Sequence, residues 1–187
     1  AGTANQYTIN LHPGSILFLD NEAANLNRWD DTTPLTLDGA QLYVRNQNSA
    51  AVTVNEVVGN MTFARGSSIR LDKYLALGAV QVTAANLSRS GVGSTLTFLP
   101  QNAGNLGANG TNDDAERFVV TGTVSGTIAN GMLPAYYING TDNTFVTYGG
   151  NGFANAAYTN TFAGGVFSAN TTVASVVDIT TGALTLT

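Results

Sequence analysis

Residues Leu35-Thr36-Leu37-Asp38-Gly39-Ala40-Gln41-Leu42-Tyr43-Val44 read as two short strands of alternating apolar residues joined by a tight turn at Gly39. A side-chain period of two marks strands with one buried face. The second half of this phrase recurs. Apolar residues stand third and fifth after a glycine at Leu17 and Leu19 (after Gly14), Leu42 and Val44 (Gly39), Ile69 and Leu71 (Gly66), and Leu96 and Phe98 (Gly93). The glycines are 25, 27 and 27 residues apart. A glycine turn and strand recurring at one coil length predict an all-β chain wound as a parallel β-helix, or solenoid, with equivalent residues over one another. A jelly-roll-like β-sandwich is the alternative, because alternation alone does not distinguish parallel from antiparallel pairing.

Working outward, Tyr7, Ile9 and Leu11 precede a His12-Pro13-Gly14 turn, and Ile16 to Leu19 follow it. A polar loop from Asp20 to Thr33 holds the only tryptophan, Trp29. Val52 to Val58, Met61 to Phe63 and Val80 to Val82 are further strand phrases, while Asp72 to Leu77 has the composition of a helical turn. No segment sustains the spacing of an amphipathic helix. The regular repeats are placed at residues 1–100, a loop at 101–117, and a less regular β part at 118–187, continuous with the first. In that last part Asn139-Gly140 signals a turn before Phe145 to Tyr148. Its final phrase, Val176 to Leu186, carries its leucines two and four residues after Gly182, a register shifted by one.

Composition narrows the function. Only 10% of the 187 residues are charged, against about 25% in typical domains, while 43% are apolar, enough for a packed core. The net charge is −5 and Lys73 is the one lysine, so no basic footprint exists for nucleic acid. No run reaches the length of a membrane-spanning helix, and insertion into a membrane is not expected. There is no cysteine, hence neither disulfides nor thiolate metal sites. The chain begins Ala1-Gly2-Thr3 rather than with Met, and reads as a mature product or a segment.

The phrases "INLHPGSILFLDN", "NLNRWDDTTPLTLDGAQLYVRNQN", "GNMTFARGSSIRL", "LSRSGVGSTLTFLP", "RFVVTGT" and "NGMLPAYYINGTDNTFVTYGGNGFANAAYTN" follow one another between residues 7 and 165 or so. In that order they resemble the passenger regions of bacterial autotransporter-associated β-strand repeat proteins. The resemblance implies a right-handed parallel β-helix displayed outside the cell, with a structural role and no catalytic residues. Such proteins are usually much longer than this chain.

Side chains with chemical potential are sparse. His12 is the only histidine and is read as a turn residue; a catalytic triad or a two-histidine metal site needs far more support. Asp113, Asp114 and Glu116 lack a calcium-loop spacing and are read as a solvated acidic loop. Asp20 and Asp72 both fall six residues after their glycine and are expected to stack on one side. That pattern is equally polar punctuation after a strand, so polysaccharide lyase or glycosidase chemistry, which requires paired carboxylates on one face, is not favoured. No catalytic or metal-ligating residue is assigned, and no cofactor is expected. Trp29, beside Asp30 and Asp31, is a candidate sugar contact, although a ring plugging the core is the favoured reading. Adjacent Tyr136 and Tyr137 are expected to face opposite ways along one strand, making one of them a contact residue. The Asn-x-Ser/Thr triplets at Asn60, Asn86, Asn109, Asn139 and Asn170 are what an Asn- and Thr-rich chain gives by chance.

Residues 118–187 contain two charged side chains, Asp142 and Asp178, and the stretch up to Leu11 contains none. Uncharged terminal strands lack the usual protection against edge pairing, and a solenoid exposes its end rungs unless they are capped. Ile9, Leu11, Ile179, Leu184 and Leu186 are therefore the expected contacts between copies of the chain. The function expected is a non-enzymatic structural subunit of an extracellular or cell-surface fibre, sheath or filament. The alternatives are an adhesin or glycan-binding module using Trp29, Tyr136 or Tyr137, and covalent continuation of the ends into further repeats.

Overall fold

A computed structural model describes residues 7–21, 28–46, 53–73, 78–108, 115–129 and 131–157, together with the backbone of four short strands between 160 and 186. The architecture is all-β: two sheets, largely parallel, each open rather than closed into a barrel. Strands β1 (Ile9–Leu11), β3 (Leu35–Asp38), β5 (Thr53–Ala64), β7 (Ala79–Arg89) and β9 (Glu116–Val120) form the first sheet, in that order and all parallel. Strands β2 (Ile16–Asn21), β4 (Gln41–Asn46), β6 (Gly66–Asp72), β8 (Thr95–Pro100) and β10 (Tyr137–Asn139) form the second in the same way. The chain thus changes sheet at every strand. Two antiparallel strands, β11 (Thr144–Gly149) and β12 (Gly152–Asn155), extend the second sheet. Parallel pairing from β1 to β10 is not that of a jelly roll, which is antiparallel.

Alternation along each strand builds the core. Leu35, Leu37, Leu42 and Val44 face inward and are fully buried, while Thr36, Gln41 and Tyr43 between them are half-buried. The turn between them passes through Gly39 at φ +66°, a conformation that costs a Cβ-bearing residue but not glycine. Leu17, Leu42 and Ile69 lie in one row, and Leu19, Val44 and Leu71 in the next, as the glycine count predicts. The fourth member departs from it: Ile69 is opposite Phe98, and Leu96 is opposite Ser67. Strand β6 starts at Gly66 itself, whereas Gly93 belongs to a turn closed by Ser94 N–H on Gly91 O, ahead of β8. A slip of two residues leaves every side chain on its original face. Ser67 therefore points inward, where its hydroxyl meets Leu37 O and Ala64 O at 2.9 and 2.7 Å and accepts the Gly39 N–H at 3.1 Å.

The stretch read as a loop over 101–117 contains a 3₁₀ turn at Ala103–Asn105 and the start of β9 at Glu116. Both sheets run through this region, since β9 pairs with β7 and β10 with β8. Residues 74–77 and 109–114, with the helical turn and the Asp113-Asp114 loop read there, lie outside the described residues. Strand β10 turns into β11 after Asn139-Gly140, as expected. Farther on, β13 (Asn160–Phe162) pairs with β15 (Val177–Ile179), and β14 (Gly165–Phe167) with β16 (Leu184–Leu186), again parallel and again alternating between two small sheets.

Two inward carboxylates tie down the connections between the sheets. Glu56 accepts hydrogen bonds from Asn21 Nδ2 at 3.1 Å and from the Arg28 and Trp29 amides at 2.8 and 3.3 Å. Glu116 accepts from the amides of Lys73, Gln101 and Asn102 at 3.0–3.2 Å. Burial pushes the Glu116 carboxyl above its ordinary value of 4.5, with the three amides acting in the opposite direction and nearby Asp72 adding to the rise. A folded-state pKa above the unfolded one means that folding favours the protonated acid, so this contribution is full below the unfolded value and is lost as pH rises through the folded one. In urea titrations Glu116→Gln is expected to match the intact chain near about pH 4 and to gain on it as pH rises toward about 7. An intact chain that instead gains on the variant would show that the amide bonds outweigh burial.

Candidate functional site

A stack of parallel strands has two ends, and here they differ. At the first, β1 and β2 pair with β3 and β4 on one side only, among the described residues. Ile9 and Leu11 stand opposite the inward Leu35 and Leu37. Leu17 and Leu19 stand opposite Leu42 and Val44, yet they are only half-buried whereas their partners are wholly so. Of the seven exposed large apolar residues described, Tyr7 (76%), Ile9 (38%), Ile16 (62%) and Phe18 (42%) belong to this end, so apolar exposure is concentrated there. An apolar strand edge of this kind is a template for another strand.

On the outer face of the second sheet, in-register packing makes a row that leads to the same edge. Phe18, Tyr43 and Arg70 are successive partners. The Phe18 and Tyr43 rings stack at 4.5 Å, and the Arg70 guanidinium lies 4.6 Å from the Tyr43 ring centre. Asp20, Arg45 and Asp72 form the neighbouring row, which aligns Asp20 with Asp72 as expected and places an arginine between them. Arg45 Nε donates to Asp20 at 3.0 Å, and its guanidinium lies 5.0 Å from the Phe18 ring centre. Tyr43 Oη donates to Asp72 at 2.6 Å; burial first, and this bond second, raise its pKa. Tyr43 is thus faced on both sides along the row, and Phe18 is its outermost member.

At the opposite end the outer edge of β9 is covered, while β12 closes the second sheet and pairs with β11 alone among the described residues. No capping helix is present among the described residues; the β11–β12 hairpin takes that place. Phe153 packs at 4.4–5.7 Å from the rings of Phe98, Tyr148, Tyr137 and Phe118. Tyr148 Oη accepts the Val120 N–H at 2.8 Å and donates to Val120 O at 2.7 Å, satisfying both backbone groups at the end of β9. Gly152 sits so close to the Phe118 carbonyl that a Cβ there would overlap it. At the start of β9 the Gly107 N–H reaches Glu116 O at 3.1 Å. The outer edge of β9 is therefore occupied at Glu116, Phe118 and Val120 in turn.

Of the proposed ligand contacts, Trp29 is half-buried against the core and donates its indole N–H to Thr33 O at 3.2 Å. Its neighbour Asp30 is held below the usual carboxylate range by the Thr33 hydroxyl and the Thr32 amide. Tyr136 and Tyr137 do not face opposite ways. Tyr136 precedes β10 instead of lying in it, and both hydroxyls donate to Ser125 O, at 3.1 and 2.9 Å. Tyr137 is fully buried, which raises its pKa and leaves no surface for a ligand. The half-buried Tyr136 ring is covered by Arg89 at 4.1 Å. His12 lies in a turn closed by Ser15 N–H on its carbonyl. Ile179, Leu184 and Leu186 fall in β15 and β16, where the description extends to the backbone.

The hairpin cap, the Phe18–Tyr43–Arg70 row and the two carboxylate anchors lie outside what the sequence pattern predicts. The Gly149-Gly150-Asn151-Gly152 run before Phe153 is the signal that points to the hairpin. The chain matches no protein family, no characterised protein and no solved structure, so the likeness to autotransporter-associated repeats rests on the sequence phrases alone.

Removing the Tyr148 hydroxyl tests the cap. Tyr148→Phe leaves both Val120 backbone groups unpaired and is expected to cost about 1–3 kcal/mol, read from the urea midpoint. An unchanged midpoint would mean that the hydroxyl does not hold this edge.

Proposed function

We propose that the two sheets are the walls of a parallel β-solenoid and that the chain is a non-enzymatic structural subunit, or a segment of one, of an extracellular or cell-surface filament, sheath or fibre. Copies of the chain are its partners, joined end to end through terminal strands. The observation that carries this reading is the contrast between an apolar first rung of β1 and β2, paired on one side only among the described residues, and a β9 edge occupied by Tyr148, Gly152 and Gly107. A rung open on one side accepts a strand, and where that strand is the terminal phrase of another copy the contact is heterologous and builds filaments if it does not close on itself. The alternation of strands between sheets supports the solenoid, and the similarity to autotransporter passenger repeats supports display outside the cell. The buried carboxylates are engaged with loop amides, a structural task. The glycan-binding alternative finds less support, because Tyr137 is buried and Tyr136 is covered by Arg89.

Negative-stain electron microscopy of the purified chain, beside a version lacking Ile179 to Thr187, tests the proposal. Filaments from the intact chain that disappear on truncation are expected. Discrete particles from both would overturn it.

A further inference from the structure

The open rung invites the question of which strand completes it, and the tail of the chain carries a match. On its covered side, the β1–β2 rung receives Leu35-Thr36-Leu37, a four-residue corner (Asp38 to Gln41), and Leu42-Tyr43-Val44. The end of the chain repeats that arrangement: Val177-Asp178-Ile179, a four-residue stretch (Thr180 to Ala183), then Leu184-Thr185-Leu186. In both phrases a larger apolar residue stands on either side of a central one, and the first triplet lies in one sheet while the second lies in another. The tail strands already pair in parallel, β13 with β15 and β14 with β16, which is the mode β1 and β2 use. No charge stands in the tail phrase except Asp178, whose place in it corresponds to Thr36, an outward position half-buried beside Asn10.

From this we infer that β15 and β16 of one copy dock on the outer edges of β1 and β2 of the next. Val177 and Ile179 then come into register with Ile9 and Leu11, and Leu184 and Leu186 with Leu17 and Leu19. Thr185 falls beside Phe18, the outermost ring of the Phe18–Tyr43–Arg70 row. Docking covers Ile9 and the half-buried Leu11, Leu17 and Leu19. The backbone ladders supply affinity, and the alternate inward side chains set the register. This inference rests on the proposed self-assembly and names the surfaces that carry it.

The chain has no cysteine, so a disulfide introduced across the joint reads the register directly. Neighbouring strands lie about 4.8 Å apart, within the Cα separation that a disulfide spans. The double variant Phe18→Cys with Thr185→Cys, oxidised after assembly, is expected to give a ladder of dimers, trimers and larger species on a non-reducing gel. Each single variant is expected to stop at the dimer. Because a cysteine pair can disturb assembly, a second measurement uses Phe18→Arg, checked for fold by circular dichroism. It is expected to raise the concentration needed for polymer by about tenfold or more, whereas Phe145→Arg on the hairpin at the covered end leaves it unchanged. Polymers that form normally without a ladder and tolerate Phe18→Arg would overturn the docking while leaving self-assembly standing. An internal disulfide in a monomer would show that the tail completes its own first rung, overturning the second copy as occupant. A chain that never polymerises would defeat both readings.

Discussion

Every parallel stack of strands has to deal with its two terminal edges, where backbone donors and acceptors have no neighbouring strand. In this chain the inner rungs meet that need by repetition: each strand is the partner of the one a turn earlier, from Leu17 through Leu42 and Ile69 to Phe98. The ends cannot be satisfied this way. At β9 the solution is made of unlike parts, a tyrosine hydroxyl on Val120, a glycine against Phe118 and a loop amide on Glu116. At β1 and β2 the described residues supply no such parts, and apolar side chains stand exposed instead.

The interior explains why so little of the side-chain chemistry is available for other tasks. Glu56 and Glu116 would be expensive to bury without partners; each is surrounded by loop amides that would otherwise be orphaned near the core. Asp20, Arg45, Tyr43 and Asp72 are bonded to one another across adjacent strands on the outer face. These groups, with Glu56 and Glu116, fasten one turn of the chain to another.

How much of this was legible follows from what repeats. The rows of Leu17, Leu42 and Ile69, and of Leu19, Val44 and Leu71, are readable from glycine spacing because the inward residues of β2, β4 and β6 stand three and five after the glycine in each and pair in that register. Phe98 defeated the count because the turn before β8 is longer, and a slip of two residues preserves the alternation that the count relies on. The alignment of Asp20 with Asp72 was legible for the same reason as the leucine rows, whereas Arg45 between them was passed over. Adjacency puts Tyr136 and Tyr137 on opposite faces only if both lie in one strand, and β10 starts at Tyr137, so the condition is not met. The anchoring carboxylates and the Tyr148 cap depend on partners 14 to 43 residues away, a distance at which local pattern carries no signal.

Backbone hydrogen exchange, measured residue by residue at low and high protein concentration, tests the unlike ends most directly. Assembly through the open rung predicts that those amides of β1 and β2 that face away from β3 and β4 become protected as concentration rises, unlike the Ile9 N–H, which already donates to Pro34 O, while Glu116 to Val120 are protected at both. Protection that does not change at the first rung, or that grows at β9 instead, would contradict the account.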